Sequence, residues 1–128
     1  MKAEEQRHRI FKKRENGRNF WNFMHTLAAY YPINPTRTQI ERMDYFVKNC
    51  ADYFLIEQTW ANNFNKNIKE KPPKLDSRYT FMVWMCEQHN KINEAIGKPL
   101  FSCTVKNLIE RWGPVTLSDD QGKTNTIT

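Results

Sequence analysis

Apolar residues recur at steps of three and four along most of this chain, and no run of alternating β-branched residues interrupts the pattern. Phe20, Met24, Leu27 and Tyr31 share one face of a helix expected over about Arg18 to Tyr31. Pro32 ends it by biasing Tyr31 out of the α region. Asn34-Pro35-Thr36 is a turn, and Thr36 followed by Gln39 has the pattern of a capping box. The second helix then carries a stripe of Ile40, Met43, Val47, Cys50 and Phe54. A third, over about Glu57 to Lys69, spaces Trp60, Phe64 and Ile68 by four. Pro72-Pro73 makes the stretch from Lys69 to Leu75 a loop. Asp76 or Ser77 caps a fourth helix that reaches Ile96, with Phe81, Met85, His89, Ile92 and Ile96 on its stripe. Gly97 fits the position just past its end. A short fifth helix covers about Thr104 to Arg111. The pattern predicts an all-α fold, a four-helix bundle with a short fifth helix.

Composition narrows this picture without changing it. A chain of 128 residues is long enough for one domain and short for two. The apolar fraction is 39%, low for a large core, and the 13% of aromatic residues partly offsets this because each ring buries a large area. Three parts are expected: a basic arm over 1–16, a folded domain over 17–113 and a polar tail over 114–128. The net charge is +6, and residues 1–16 place Lys2, Arg7, Arg9, Lys12, Lys13 and Arg14 against Glu4, Glu5 and Glu15. That arm is either a solvated, partly helical segment or a contact for an acidic partner, nucleic acid or a membrane surface. No nucleic-acid motif accompanies the charge, so no nucleic-acid partner is expected. No apolar run reaches the ~18 residues of a membrane-spanning helix. The amino terminus has no apolar core of a secretory signal, and its acidic residues make it a poor mitochondrial presequence.

Two helix faces carry chemistry. Arg18, Trp21 and His25 lie at i, i+3 and i+7 on the first helix. Cys86, His89, Asn90 and Asn93 lie at i, i+3, i+4 and i+7 on the fourth. A helix side that buries a thiol, an imidazole and two amides must satisfy their hydrogen bonds. A planar heteroaromatic ligand would do so, with Trp and His on its faces and amides at its edge. The same spacing also suits cap and surface residues that happen to align. A metal bound by Cys86, His89 and His25 lacks a second close-spaced Cys/His pair to complete it, and no metal site is expected.

The run from Gly17-Arg18-Asn19-Phe20-Trp21 through His25 to Tyr30-Tyr31-Pro32 resembles the first-helix signature of Erv/ALR flavin-linked sulfhydryl oxidases. So does the run Trp84-Met85-Cys86, His89-Asn90-Lys91-Ile92-Asn93, Gly97-Lys98-Pro99-Leu100-Phe101-Ser102-Cys103. The resemblance spans about residues 17–112. It implies FAD bound within the bundle, contacted by Arg18, Trp21, His25 and Tyr30 from the first helix and by Cys86, His89, Asn90 and Asn93 from the fourth. Lys98, Phe101 and Trp112 complete the implied set, with Arg18 and Lys98 chemically suited to a pyrophosphate. The resemblance also implies a structural disulfide between Cys86 and Cys103. Closing that loop contributes roughly 3 kcal/mol on the chain-entropy estimate.

The departure from the family is as specific as the match. Such oxidases use a C-x-x-C pair at the start of the third helix, one thiolate exchanging with substrate and the other passing electrons to flavin. Registering the chain on Tyr53-Phe54 puts Ile56 and Thr59 at those positions, and neither side chain is redox-active. Cys50 belongs to the apolar stripe of the second helix and is expected to be a buried core thiol. Residues 1–49 hold no cysteine for a shuttle pair. The expectation is an FAD-binding domain that has lost the dithiol and serves as a structural or accessory subunit of a mitochondrial assembly. The alternative is an active sulfhydryl oxidase working through partner-supplied cysteines. The resemblance further implies protein partners or a homodimer through the first two helices, and a place in the mitochondrial intermembrane space.

Overall fold

The computed structural model describes residues 2–113, and the backbone of 115–118 and 124–127; Met1, Pro114, residues 119–123 and Thr128, part of the expected tail, lie outside the described residues. Six helices follow in order: α1 Ala3–Ala29, α2 Arg37–Asn49, α3 Ala51–Phe54, α4 Gln58–Glu70, α5 Arg78–Ala95 and α6 Val105–Trp112. With α2 and α3 taken as one broken helix, this is the expected bundle of four and a short fifth. Past it, β1 (Val115–Ser118) and β2 (Thr124–Ile127) pair antiparallel, Val115 opposite Ile127.

Two boundaries differ from the sequence pattern. The first helix begins at Ala3, so the basic segment is its opening half and has no break at residue 16. Nothing in that half forbids helix, since Pro is absent and Gly17 is its lone glycine. The second helix is interrupted at Cys50, where both Tyr53 N–H and Phe54 N–H donate to the Cys50 carbonyl. Leu55 N–H still reaches Ala51, so the stripe continues only as the short α3.

The predicted caps form. Thr36 accepts from Gln39 N–H at 3.2 Å and its own N–H donates to Gln39 Oε1 at 2.8 Å. Ser77 rather than Asp76 caps α5, paired reciprocally with Thr80. Gly97 ends α5 at φ +74°, a left-handed conformation that side-chain-bearing residues rarely adopt.

α1 packs most extensively on α5, and α6 lies against both. Met24, Ala28 and Ala29 of α1 meet Phe81, Met82, Trp84, Met85 and Cys86 of α5 in one buried core. Burying each large side chain there contributes roughly 1.5–3 kcal/mol. α5 is buried on most sides, because other elements cover it where a two-layer helix would face water. Trp84 Nε1 donates to the Lys71 carbonyl at 3.0 Å, which ties α5 to the end of α4. Tyr31 anchors the turn after α1: its hydroxyl donates to the Leu75 carbonyl and its own carbonyl accepts from Arg78 Nε. Three stripe positions prove exposed, Phe54 at 47%, Trp60 at 38% and Ile96 at 59%; each lies in the first or last turn of its helix or just past it, and Phe54 still meets Phe23 and Phe46 on one side.

Candidate functional site

α1, α5 and α6 converge on a stack of flat rings. Trp21 lies parallel to His89, centroids 4.2 Å apart at 3°. His25, one turn further along α1, lies parallel to Trp112 at 4.4 Å and 7°. The two pairs are joined through His25 Nε2 and His89 Nδ1, 2.8 Å apart, one donating and the other accepting. Phe101 closes one side, edge-on to His25 and 4.9 Å from His89. Phe64 of α4 meets Trp21 edge-on from another. The i, i+4 spacing of Trp21 and His25 sets their rings one above the other on α1.

Both imidazoles are held neutral. Burial, the neighbouring His89 and the Arg111 guanidinium depress the pKa of His25 to about 3. Burial, Arg111 and Lys98 depress that of His89 to about 4. Two cations are thus electrostatically felt by the stack, and Arg111 also covers the Phe101 ring at 4.1 Å and the Trp112 ring at 4.9 Å. Such a set, uncharged planar rings edged by cations, suits a flat heteroaromatic group that carries phosphate.

The remaining candidates have different surroundings. Asn90 spends its amide on the loop before α6: Nδ2 donates to the Phe101 carbonyl at 2.9 Å, and Oδ1 accepts from Phe101 N–H at 2.8 Å. It holds Phe101 against the histidines. Asn93 is buried, and its carbonyl accepts from Lys98 N–H at 2.8 Å, shaping the turn that carries Lys98. Arg18 is exposed and paired with Glu15 at 3.1 Å, off the ring stack. Tyr30 is half-buried at the end of α1. Cys86 and Cys103 are disulfide-bonded, fixing the start of α6 to α5. Arg111 and Phe64 were not among the sequence candidates. The basic residue beside Trp112 in a last helical turn was the available signal for the first; nothing local marked the second.

The stretch expected to hold a redox pair carries neither thiol nor disulfide. Ile56 lies in the loop between α3 and α4, 65% exposed, and Thr59 is exposed in the first turn of α4. This loop is clasped by α1. Asn16 Nδ2 donates to the Phe54 carbonyl at 2.8 Å, while Ile56 N–H donates to Asn16 Oδ1 at 3.0 Å. Lys13 pairs with Glu57 at 2.8 Å and holds that carboxyl below its ordinary pKa. A Cβ at Gly17 would stand 3.2 Å from the Trp60 ring, so this glycine lets α1 approach α4. The third cysteine, Cys50, is 3% exposed, and burial pushes its thiol up to about 11.

Residues 18–113 match the family described as Erv1 / Alr. Among curated relatives, the mitochondrial FAD-linked sulfhydryl oxidase erv1 of Schizosaccharomyces pombe is 39% identical over 100 residues, 71% of this chain and 50% of that protein. The mitochondrial FAD-linked sulfhydryl oxidase ERV1 of Saccharomyces cerevisiae is 39% identical over 87 residues, 68% of this chain and 46% of that one. The chain thus spans about half the length of the curated relatives it matches. The crystal structure of the FAD binding domain of Erv1 from Saccharomyces cerevisiae superposes with a TM-score of 0.71 at 36% identity, covering 77% of this chain and 90% of that one.

Proposed function

Since the chain belongs to the Erv1 / Alr family, we propose that it binds FAD in the ring stack of α1, α5 and α6 and has no thiol-oxidising dithiol of its own. The observation that carries the first half is the pair of parallel ring stacks, Trp21 on His89 and His25 on Trp112, with neutral imidazoles and flanking cations. Trp21, His25, His89, Phe101 and Trp112 provide the flat surfaces. Arg111 and Lys98 are the cations beside the stack that are available to the pyrophosphate, and Cys86 and Cys103 fix the frame. When bound, FAD is the electron acceptor in thiol oxidation by the curated relatives named for it.

The second half rests on the cysteine inventory. The chain has three cysteines; two are bonded to each other and the third is buried with a raised pKa. A thiolate that is neither exposed nor populated near neutral pH does not exchange with a client disulfide. Ile56 and Thr59, at the positions registered for the pair, cannot carry the chemistry. The domain therefore serves as a cofactor-stabilised accessory subunit, since a ligand that binds only the folded state adds to its stability. The exposed Phe23 and Phe54, whose rings meet each other and Phe46 across α1 to α3, suit a protein partner or a second copy. The names of the relatives favour the mitochondrion, with the intermembrane space its disulfide-permissive compartment.

An absorption spectrum of the purified chain, followed by oxygen consumption with dithiothreitol, tests both halves. The expected result is a flavin spectrum with no oxidase turnover. A stable, colourless protein removes FAD from the account. Hydrogen peroxide production at the rate of an active relative restores the alternative, an oxidase supplied with cysteines from elsewhere.

A further inference from the structure

The opening half of α1 does more than clasp the loop. Between it and the loop lies a groove of about 470 Å³ lined by Glu5, His8, Arg9, Lys12, Lys13 and Ile56. Lys13 is committed to Glu57, but among the described residues neither Arg9 nor Lys12 makes an ion pair. Glu5, His8, Arg9 and Lys12 share one face of the helix by their i, i+3, i+4 and i+7 spacing. Opposite them stands a 65% exposed isoleucine on a loop whose backbone the Asn16 amide holds at two points. Glu5 lines the same wall as Arg9 and Lys12, so the wall keeps an excess of one positive charge, and it faces an apolar side chain on the other wall.

We propose that this groove is a docking site for an acidic segment of a partner protein, carrying an apolar side chain onto Ile56 and carboxylates onto Arg9 and Lys12. The chemistry separates this occupant from the other anions a basic helix attracts. A nucleic-acid duplex presents phosphates along its outside and has no apolar group to meet Ile56. A bilayer takes up a helix by its apolar residues, yet Ile10 and Phe11, 49% and 59% exposed, fall on faces of α1 other than that of Arg9 and Lys12. A peptide can satisfy both walls at once. The clasp holds the loop wall in place, which reduces the ordering cost of binding on that side. The site needs no cofactor: a colourless protein that binds the peptide refutes the FAD reading and leaves this one standing.

The test is fluorescence anisotropy of the full chain with a labelled peptide rich in Glu and Asp around one leucine. The same peptide with its carboxylates as amides, the peptide with leucine replaced by serine, a short DNA duplex and phosphatidylglycerol vesicles are the comparisons. The acidic leucine peptide is expected to bind tightest. Lys12→Glu should weaken it about tenfold, since a like charge then faces the peptide carboxylates. Ile56→Ser should weaken it several-fold while leaving charge unchanged. Asn16→Ala, which alters neither the charge nor the lining of the groove, should also weaken it by releasing the loop. Circular dichroism confirms that each variant keeps its helices. Equal binding of the amidated peptide, tighter capture of duplex or vesicles, or affinity indifferent to both Ile56→Ser and Asn16→Ala would each overturn the assignment.

Discussion

Replacing Cys86 and Cys103 together by alanine cuts the covalent link between α5 and the segment that leads into α6. The two residues are 17 apart in sequence, and the chain-entropy relation for a loop of that size gives about 3 kcal/mol. Cys86 is fully buried, so deleting its sulfur leaves a small void worth about 1 kcal/mol more. The loss is then about 3–4 kcal/mol, a large part of the stability of a domain this size. It corresponds to a fall in melting temperature on the order of 15 °C. The position of the link adds a local consequence. Asn90 Nδ2 lies 3.2 Å from the Cys103 sulfur and also holds Phe101, so freeing this segment loosens Phe101 and the α6 residues Arg111 and Trp112 together. Urea denaturation followed by tryptophan fluorescence measures the first effect. Flavin retained through gel filtration measures the second. The expected result is a lower urea midpoint and loss of flavin at concentrations where far-ultraviolet helicity persists. An unchanged midpoint would refute the loop-closure argument, and a lower midpoint with full flavin retention would refute the coupling of α6 to the ring stack.

Two further outcomes follow from the titratable groups. His25 and His89 stay neutral in the folded protein down to about 3 and about 4, whereas unfolded imidazoles take up protons near 6.5. Between those limits the unfolded chain binds more protons, so stability is full above pH 6.5 and declines as pH falls. The slope is at most about 1.4 kcal/mol per pH unit for each such proton, with a smaller share from the less buried His89. Urea midpoints measured from pH 8 to pH 4 check this, and a midpoint that rises on acidification would contradict it. Cys50, buried and raised to about 11, should not react with an aromatic disulfide reagent in the native state. Unfolding without reductant should release one reactive thiol; rapid native labelling would show that the core around Met24 opens.

The helices, their caps and the disulfide-bonded cysteines' neighbourhood were largely legible along the chain, because helix formation is governed by spacing and by contacts within a few residues. Thr36 with Gln39, Ser77 and Gly97 are such local signals, and each sits where the pattern put it. The two polar faces were legible too, although not what they would meet. What local spacing could not carry was the meeting of His25 with His89, 64 residues apart, and with Trp112. Nor could it show that Asn90 serves the Phe101 backbone, or that Arg111 lies over two rings. The amino-terminal segment makes the same point: in sequence it is a solvated basic stretch, and only its continuity with α1 brings Lys13 and Asn16 onto the 54–57 loop. By itself the sequence determined the main helices and the cysteine inventory, but not the start of α1 at Ala3, the break at Cys50 or the β1–β2 pair. The tertiary structure decided which faces oppose each other, because long-range partners are selected by the packing of whole helices rather than by any residue's immediate neighbours.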